Sequence, residues 1–450
     1  MNLCENYQRS FNRYPIQRPG FVLRPEKYLG LDVITSNCIV RGLGGSYGDA
    51  ALNNKGHIIL TERLDRFFEF DEQQGIISVE AGISLAKVLD VIVSRGWFLP
   101  VTPGTRNVTL GGCVAADVHG KNHLQNASIG NHVLALELIV ANGERVWCSP
   151  DSLPELFWAT IGGMGLTGII GTITLKLKRV ESAYVVVQYQ TANDLAETFD
   201  LFSQENPQEY AVAWLDGLNL PLGRSVIMRA RHADLEALSL DQKRQPFVSH
   251  SHKTYQLPFC LPSGLLHQKF IKAFNNHYYQ RLAKKEAPSK LCYGDFFYPL
   301  DRLTHWPRLY GKQGFLQYQC AVPFESAFVV TKQILEILNR RKFPVYLAVL
   351  KRFGQGSLAP LSFPLSGFTL AVDLPIVNQE LFNCLDDLDA MVITAGGRVY
   401  LAKDARLKPQ AFRAMYPRYE EWLAVKKQWD SENKFSSSLA KRLEISPLRF

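Results

Sequence analysis

The sequence is short of the pairings that would place it in an oxidising compartment or around a metal. Its eight cysteines stand singly at Cys4, Cys38, Cys113, Cys148, Cys260, Cys292, Cys320 and Cys384. No two form a Cys-x-x-Cys pair and none has zinc-ligand spacing with a histidine, so no metal site is expected. Scattered thiols fit a reducing cytoplasm. A long apolar run is also missing: nothing approaches the roughly 20 residues that cross a bilayer. The opening MNLCENYQRSFNRYP lacks the apolar core of a signal peptide. The expectation is a cytoplasmic protein, soluble or peripheral at the inner face of the membrane. No basic block is interleaved with aromatics, and the net charge of +8 is spread over 450 residues, which argues against nucleic acid. A basic face for anionic lipid, or a phosphorylated substrate, stays open. Internal repeats and low-complexity tracts are absent. With 46% hydrophobic and 20% charged residues the chain is not disordered.

What is present begins with length. The chain exceeds one comfortable core, and two domains are expected. The stretch Pro103–His132 (PGTRNVTLGGCVAADVHGKNHLQNASIGNH) is poor in charge yet lies between strongly apolar segments. Gly111 and Gly112 would let backbone approach a ligand closely, with His119, Lys121, Asn122 and His123 just behind. RGLGGSYGD at 41–49 follows an apolar strand and reads either as a tight turn or as a nest of N–H groups for phosphate, with Ser46 as an added donor. It is not a dinucleotide-binding fingerprint, since the spacing differs and no helix follows. A third cluster, IGGMGLTGIIG at 161–171, has the same turn alternative. One long ligand with several backbone contacts would explain all three.

Periodicity predicts an α+β chain. Ser84 caps a helix carrying Leu85, Val88, Leu89 and Ile92 and ended by Gly96. Asn142-Gly143 joins a hairpin between Val133–Ala141 and Glu144–Trp147, and Gly171–Lys178 alternates as a half-buried strand. Strand and helix patterns resume over 183–216, and 217–290 reads as irregular. Further on, Ser326–Arg340 is a helix, Pro344–Leu350 and Gly367–Ile376 are strands, and Gln379–Ala395 is a helix stopped by Gly396-Gly397. The last 45 residues read as helix and tail. The order suggests an antiparallel-sheet α+β domain after residue 182.

RGLGGSYGD, PGT-x-x-VTLGG, HGKNH and GGMGLTGIIG occur in this order in FAD-binding oxidoreductases of the vanillyl-alcohol-oxidase or p-cresol-methylhydroxylase type. Within that group the chain most resembles the decaprenylphosphoryl-β-D-ribose 2-oxidase family, through FFYPLD (296–301), YGKQGFLQYQ (310–319), VLKRFG (349–354) and YLAKDAR (400–406). The resemblance runs nearly the full length. It implies a two-domain FAD-binding fold: residues 1–182 for the cofactor, 183–397 as an antiparallel-sheet substrate domain, and 398–450 returning to the FAD domain.

By the same resemblance, FAD would be lined by Val40, Arg41, Gly42, Leu43, Gly44, Gly45, Ser46, Tyr47, Gly48, Asp49 and Ala50. Gly104, Thr109, Leu110, Gly111, Gly112, Ala116, Asp117, Val118, His119, Ile170 and Tyr400 would complete its contacts. Covalent members carry a His where this chain has Gly45, so noncovalent FAD is implied.

The implied chemistry is hydride transfer from a secondary alcohol of a polyprenyl-phosphate-linked ribose, giving a 2-keto sugar. A short-chain NAD(P)H-dependent reductase would then complete an epimerisation to arabinose. Lys403, His119 and Tyr298 are the implied catalytic residues; Tyr47, Gln317, Gln319 and Lys351 would meet substrate, Lys351 at its phosphate. The plain alternatives are a surface Lys403 paired with Asp404, a packing role for Tyr298, a solvent face for the two glutamines and an exposed strand-end Lys351. Ala371 stands where actinobacterial members carry a cysteine facing the flavin. Residues 254–274, with Leu257, Phe259, Leu261, Leu265, Leu266 and Phe270, read as an ordinary loop and helix or as a flap meeting the membrane. An oxidase of a soluble sugar, alditol or aldonolactone is the competing function, ahead of a noncatalytic FAD-binding scaffold.

Overall fold

Three main sheets, beside two small two-stranded ones, follow from where β-branched and aromatic residues alternate with polar ones. The computed structural model describes residues 7–27, 36–204, 208–248, 254–262, 267–285 and 287–445. Phe21–Leu23, His57–Leu60 and Cys38–Arg41 pair in parallel in that spatial order. A five-stranded antiparallel sheet runs Phe67–Asp71, Ile76–Glu80, Ile169–Lys176, Val133–Ile139, Arg145–Cys148. The Asn142-Gly143 hairpin is there, and Ser84 caps Leu85–Ile92 by accepting from Lys87 N–H, with left-handed Gly96 at φ 77° closing the turn beyond.

The third sheet has eight strands, all antiparallel: Ser289–Cys292, Tyr184–Ala192, Ser225–His232, Tyr210–Leu215, Leu347–Phe353, Gly367–Pro375, Phe315–Pro323 and Arg398–Val399. Helices Phe324–Arg340 and Gln379–Thr394 bury Val330, Ile334, Leu338, Leu381, Leu385 and Leu388 in one core with Leu316, Tyr318, Cys320, Leu370 and Val372. Because strand side chains alternate, Gln317 and Gln319 project from the opposite face.

Three expectations change. Residues 217–290 hold an interior strand, Ser225–His232, and a 16-residue helix, Gln268–Ala283. The Pro344–Leu350 strand lies at Leu347–Phe353. The described part of the last 45 residues holds three helices, Pro409–Met415, Tyr419–Trp429 and Ser438–Arg442. These thread back to the first half of the chain: Trp422 Nε1 donates to the Ala159 carbonyl at 2.9 Å and Lys426 Nζ to that of Leu166 at 2.9 Å. No described helix is long and apolar enough to cross a membrane. Leu265 and Leu266 lie outside the described residues.

Candidate active site

The loop after the Cys38–Arg41 strand is pegged from both sides. Arg41 donates to the carbonyls of Ala51 and Arg9 at 3.2 and 3.1 Å, and Asp49 accepts from Arg442 at 2.9 and 2.7 Å. Those two side chains therefore hold the loop and are not free for a ligand. Val40 is half-buried and Ala50 buried at its two ends. Gly44 takes φ +69°, and a Cβ on Gly42, Gly45 or Gly48 would run into Thr109, Val108 or the Asp404 carbonyl. Between the pegs, the backbone N–H groups of Leu43, Gly44, Gly45 and Ser46 meet no partner among the described residues, and Leu43 is exposed.

Thr109 caps Leu110–Ala115 by accepting from Gly112 N–H at 3.2 Å. Gly112 and Gly104 open outward, the latter with nothing within 4 Å of its Cβ position. Gly111 corrects the expectation: it is buried, and a Cβ there would strike Ala81, so packing within the chain already requires glycine. The third glycine cluster is likewise explained by packing, Gly162 against Ser362 and Gly163 against the Ala159 carbonyl and Trp422. Ile170 is a buried residue of the five-stranded sheet.

Asp117 also departs from its expected role. Its carboxylate accepts from Ser128 at 2.8 Å, Ser362 at 2.5 Å and Gly130 N–H at 3.0 Å, and is sealed from solvent. It locks the turn that presents His119. Ala116 accepts from the Tyr400 hydroxyl at 2.8 Å, while Val118 is half-buried beside it.

His119 is 7% exposed, with ring centroids 4.8 Å from Phe353 and 5.7 Å from Tyr400. Its Nε2 lies 2.9 Å from Gln319 Nε2. An amide nitrogen only donates, so His119 Nε2 accepts and Nδ1 carries the proton; that buried Nδ1 has no partner. Burial, then the charge of Lys351, holds the ring's pKa well below the histidine range.

On the glutamine strand, Gln319 stands opposite Ala371 and Gln317 opposite Asp373; Lys351 on the next strand stands opposite Thr369. The pairing puts Gln317, Gln319, Asp373, Ala371 and Lys351 on one face, so the solvent-facing alternative fails for Gln319, 4% exposed. Lys351 makes no hydrogen bond or ion pair among the described residues, and burial brings its pKa to about 8. It lies mid-strand and half-buried, not at an exposed strand end.

Lys403 closes this face. Its Nζ sits 3.3 Å from the centre of the Tyr47 ring, and Tyr47 in turn packs on Phe11, Trp306 and Phe315. The alternative pairing with Asp404 is absent, because that carboxylate accepts from Arg406 and Leu407 N–H and meets Arg442. Burial brings the Lys403 pKa to about 7, against the pull of Asp373 and with the push of Lys351.

Tyr298 is not gathered with these groups. It is 2% exposed, its hydroxyl is 2.6 Å from Thr102 Oγ1, and its ring packs on Tyr293 and Phe297. The packing role suits it better than the catalytic one. One member escaped the sequence reading. Asp373, lone acid of an apolar strand, accepts from Gln317 at 2.6 Å and from Tyr310 at 3.2 Å. Its being charged among FTLAV-LPI was the available signal.

The residues fit FAD. Four unpartnered N–H groups in one glycine loop suit phosphate oxygens, open Gly104 and Gly112 continue that surface, and the orphaned His119 Nδ1–H awaits an acceptor. At Gly45 no side chain is offered for a covalent link.

Comparison with known proteins agrees. Residues 36–149 match the family model of the FAD binding domain, and 312–443 that of D-arabinono-1,4-lactone oxidase. The chain is 38% identical to decaprenylphosphoryl-β-D-ribose oxidase of Mycolicibacterium smegmatis, over 90% of this chain and 89% of that one. The chain belongs to the decaprenylphosphoryl-β-D-ribose oxidase family of FAD-binding oxidoreductases. A protein encoded in the mprA 5′ region of Streptomyces coelicolor is 33% identical over 81% of this chain and all of its own. A putative D-arabinono-1,4-lactone oxidase of Neurospora crassa is 28% identical over 34% of this chain and 27% of its own length. In this family member the two matched segments meet at the site: His119 bonds Gln319, and Tyr47 underlies Lys403. It is an α+β FAD-dependent oxidoreductase.

Proposed function

We propose that this chain oxidises the 2-hydroxyl of a polyprenyl-phosphate-linked ribose to the 2-keto sugar, the first half of an epimerisation to arabinose. The reading rests on one observation above all: the polar row of Gln317, Gln319 and Lys351 on one face of the sheet, turned toward Lys403 and His119. Bound FAD, held noncovalently, would supply the hydride acceptor. Lys403 would take the hydroxyl proton at Nζ when neutral, a state that its pKa of about 7 makes available near physiological pH. Gln317 and Gln319 would hold the sugar hydroxyls, and the unpaired ammonium of Lys351 the phosphate. His119, kept neutral, would orient the reacting groups by its Nδ1–H.

In this reading residues 1–182 form the FAD-binding domain, 183–397 the substrate domain, and 398–450 the returning segment. The hydrogen bonds from Tyr400, Trp422 and Lys426 to residues 116–166 support the last of these. The protein would work in the cytoplasm at the inner membrane face, meeting the lipid through exposed Phe259, Phe270 and Phe274. A separate short-chain NAD(P)H-dependent reductase would consume the ketone.

A soluble sugar or aldonolactone is the second reading, favoured by the lactone-oxidase match over 312–443. Anaerobic bleaching of the bound flavin separates the two. A short-chain prenyl-phosphoryl ribose should reduce it, and free ribose, xylitol and arabinonolactone should not. Efficient reduction by the free compounds alone rejects the lipid-linked substrate.

A further inference from the structure

We propose that Asp373 is a positioning residue of the oxidation site, fixing the Gln317 amide toward substrate and supplying the countercharge of Lys403. The part concerning Gln317 rests on the function proposed above; the part concerning Lys403 does not.

Asp373 is 1% exposed and stands opposite Gln317 in the strand register. Its Oδ1 accepts from Gln317 Nε2 at 2.6 Å and its Oδ2 from the Tyr310 hydroxyl at 3.2 Å. Both donors are neutral, and no cation forms an ion pair with the carboxylate among the described residues. A buried carboxylate so held remains costly unless a positive charge lies within reach. Lys403 supplies it from across one aromatic cluster: its Nζ lies 3.3 Å from the centre of the Tyr47 ring, the Tyr310 hydroxyl bonds the carboxylate, and both rings pack on Phe315, so each charge favours ionisation of the other without an ion pair between them.

The bond to Gln317 has a geometric consequence. Rotating that amide by half a turn would set its oxygen against the carboxylate, so Nε2 must face Asp373. Oε1 is then left as an acceptor for a sugar hydroxyl. Without the carboxylate both orientations are open.

The groups facing Lys403 are few. The Tyr47 ring lies beneath it, Lys351 opposes its charge, His119 lies in its field as a neutral ring, and among the described residues Asp373 is the group that attracts it. Around Asp373 stand Gln317, Tyr310, Tyr47 and Lys403, the two phenols held neutral by burial and by the carboxylate itself. Burial brings Asp373 to about 6 and Lys403 to about 7. Above the first value the carboxylate is ionised and raises the pKa of Lys403, so removing it must lower the lysine's titration midpoint.

The test is competitive labelling of the FAD-loaded protein with trace acetic anhydride across pH, read at Lys403 by peptide mass spectrometry. Asp373→Asn should lower the midpoint by about one pH unit or more, the scale of an opposite charge nearby, and Asp373→Glu should restore most of it. Tyr310→Phe, which removes one donor to the carboxylate, should lower the midpoint by less. It serves as the test if Asp373→Asn fails to retain FAD. In steady state, Asp373→Asn should raise KM for the short-chain prenyl-phosphoryl ribose about tenfold, the scale of one misplaced hydrogen bond. An unmoved Lys403 midpoint in a folded, FAD-bearing Asp373→Asn or Tyr310→Phe protein overturns the proposal. A shifted midpoint in a protein whose flavin no prenyl-phosphoryl sugar reduces sustains the Asp373–Lys403 link and refutes the substrate.

Discussion

Lys403 Nζ lies 3.3 Å from the centre of the Tyr47 ring, and the backbone repeats the contact, with Tyr47 N–H donating to the Ala402 carbonyl at 2.9 Å. A residue of the glycine loop and one more than 350 positions later are thus fixed to one another twice. The ring face stabilises the ammonium, while loss of water destabilises it; the balance leaves the lysine able to change charge near neutral pH.

Lys403→Met should therefore bind FAD and yet reduce it slowly. A loss of roughly 10²- to 10⁴-fold in the anaerobic rate is expected for removal of one acid–base group. Stopped-flow absorbance measures it, and a variant that is yellow and reduced at the ordinary rate would dismiss the lysine from the chemistry.

Glycines of the cradle separate into two kinds, and substitution should tell them apart. A Cβ on Gly48 would overlap the Asp404 carbonyl, so Gly48→Ala should cost about 1–3 kcal/mol of folding stability, as overpacking does. Gly104→Ala meets nothing within 4 Å and should leave apoprotein stability within about 0.5 kcal/mol while weakening FAD. Urea unfolding and FAD titration of the two variants should rank them in opposite orders.

That division shows where the sequence was legible. Local signals carried far: the Ser84 cap, the Asn142-Gly143 hairpin and the alternation of Gln317 and Gln319 all describe contacts within a few residues, and the structure has each. Long-range causes were hidden. Gly111 reads like a ligand-approach glycine, yet Ala81 sets its requirement. Asp117 reads like a cofactor residue, yet Ser362, 245 positions away, claims its carboxylate. The strand Ser225–His232 was masked by Arg229, whose half-buried guanidinium donates to the carbonyl of Leu201 near the end of a helix. Asp373 was visible as a charge in an apolar strand, but its partners on two other segments were not.

Stability should respond to pH through His232. Both ring nitrogens lack partners, Phe98 and Phe297 flank the ring, and burial brings its pKa to about 3. Unfolded, it would titrate near about 6.5. The unfolded chain thus binds the proton first, and stability falls as pH drops from there toward 3, by at most about 1.4 kcal/mol per pH unit. Asp373 and Asp389, each brought up to about 6, act in the opposite sense, gaining stability as pH falls through that value. The net slope mixes these, but the difference between wild type and His232→Leu isolates the histidine. Melting temperatures at pH 7 and 5 should differ less in the variant than in wild type; equal slopes would mean the ring is already protonated or reaches water.

The helix Gln268–Ala283 gives the lipid reading its own test. Phe270 and Phe274, 53% and 54% exposed, lie four residues apart on one face with Lys269 exposed beside them. Replacing both with Ser should abolish the salt-resistant part of binding to vesicles containing anionic phospholipid, leaving only the attraction of the lysines, which salt removes. Flavin reduction by a water-soluble short-chain substrate should be unchanged. Vesicle binding that survives the double change would move the contact elsewhere.

The last prediction concerns what holds Lys403 and the glycine loop in one frame. Arg442 donates to Asp49 at 2.9 and 2.7 Å and reaches Asp404 at 2.8 Å, and both carboxylates are almost wholly buried. One belongs to the loop, the other follows Lys403. Arg442→Met would leave two buried carboxylates without the cation that bridges them, the field of Arg406 still acting on Asp404, at a cost of about 3–5 kcal/mol. Much of that cost is repulsion between the survivors, so adding Asp49→Asn should recover part of it, and the cycle should be strongly non-additive. FAD affinity should fall in the single variant and recover less in the double one, because neutralising Asp49 relieves the charge without restoring the bridge. Equal recovery of stability and of affinity would show that Arg442 only balances charge; unequal recovery would show that it aligns the loop with the lysine.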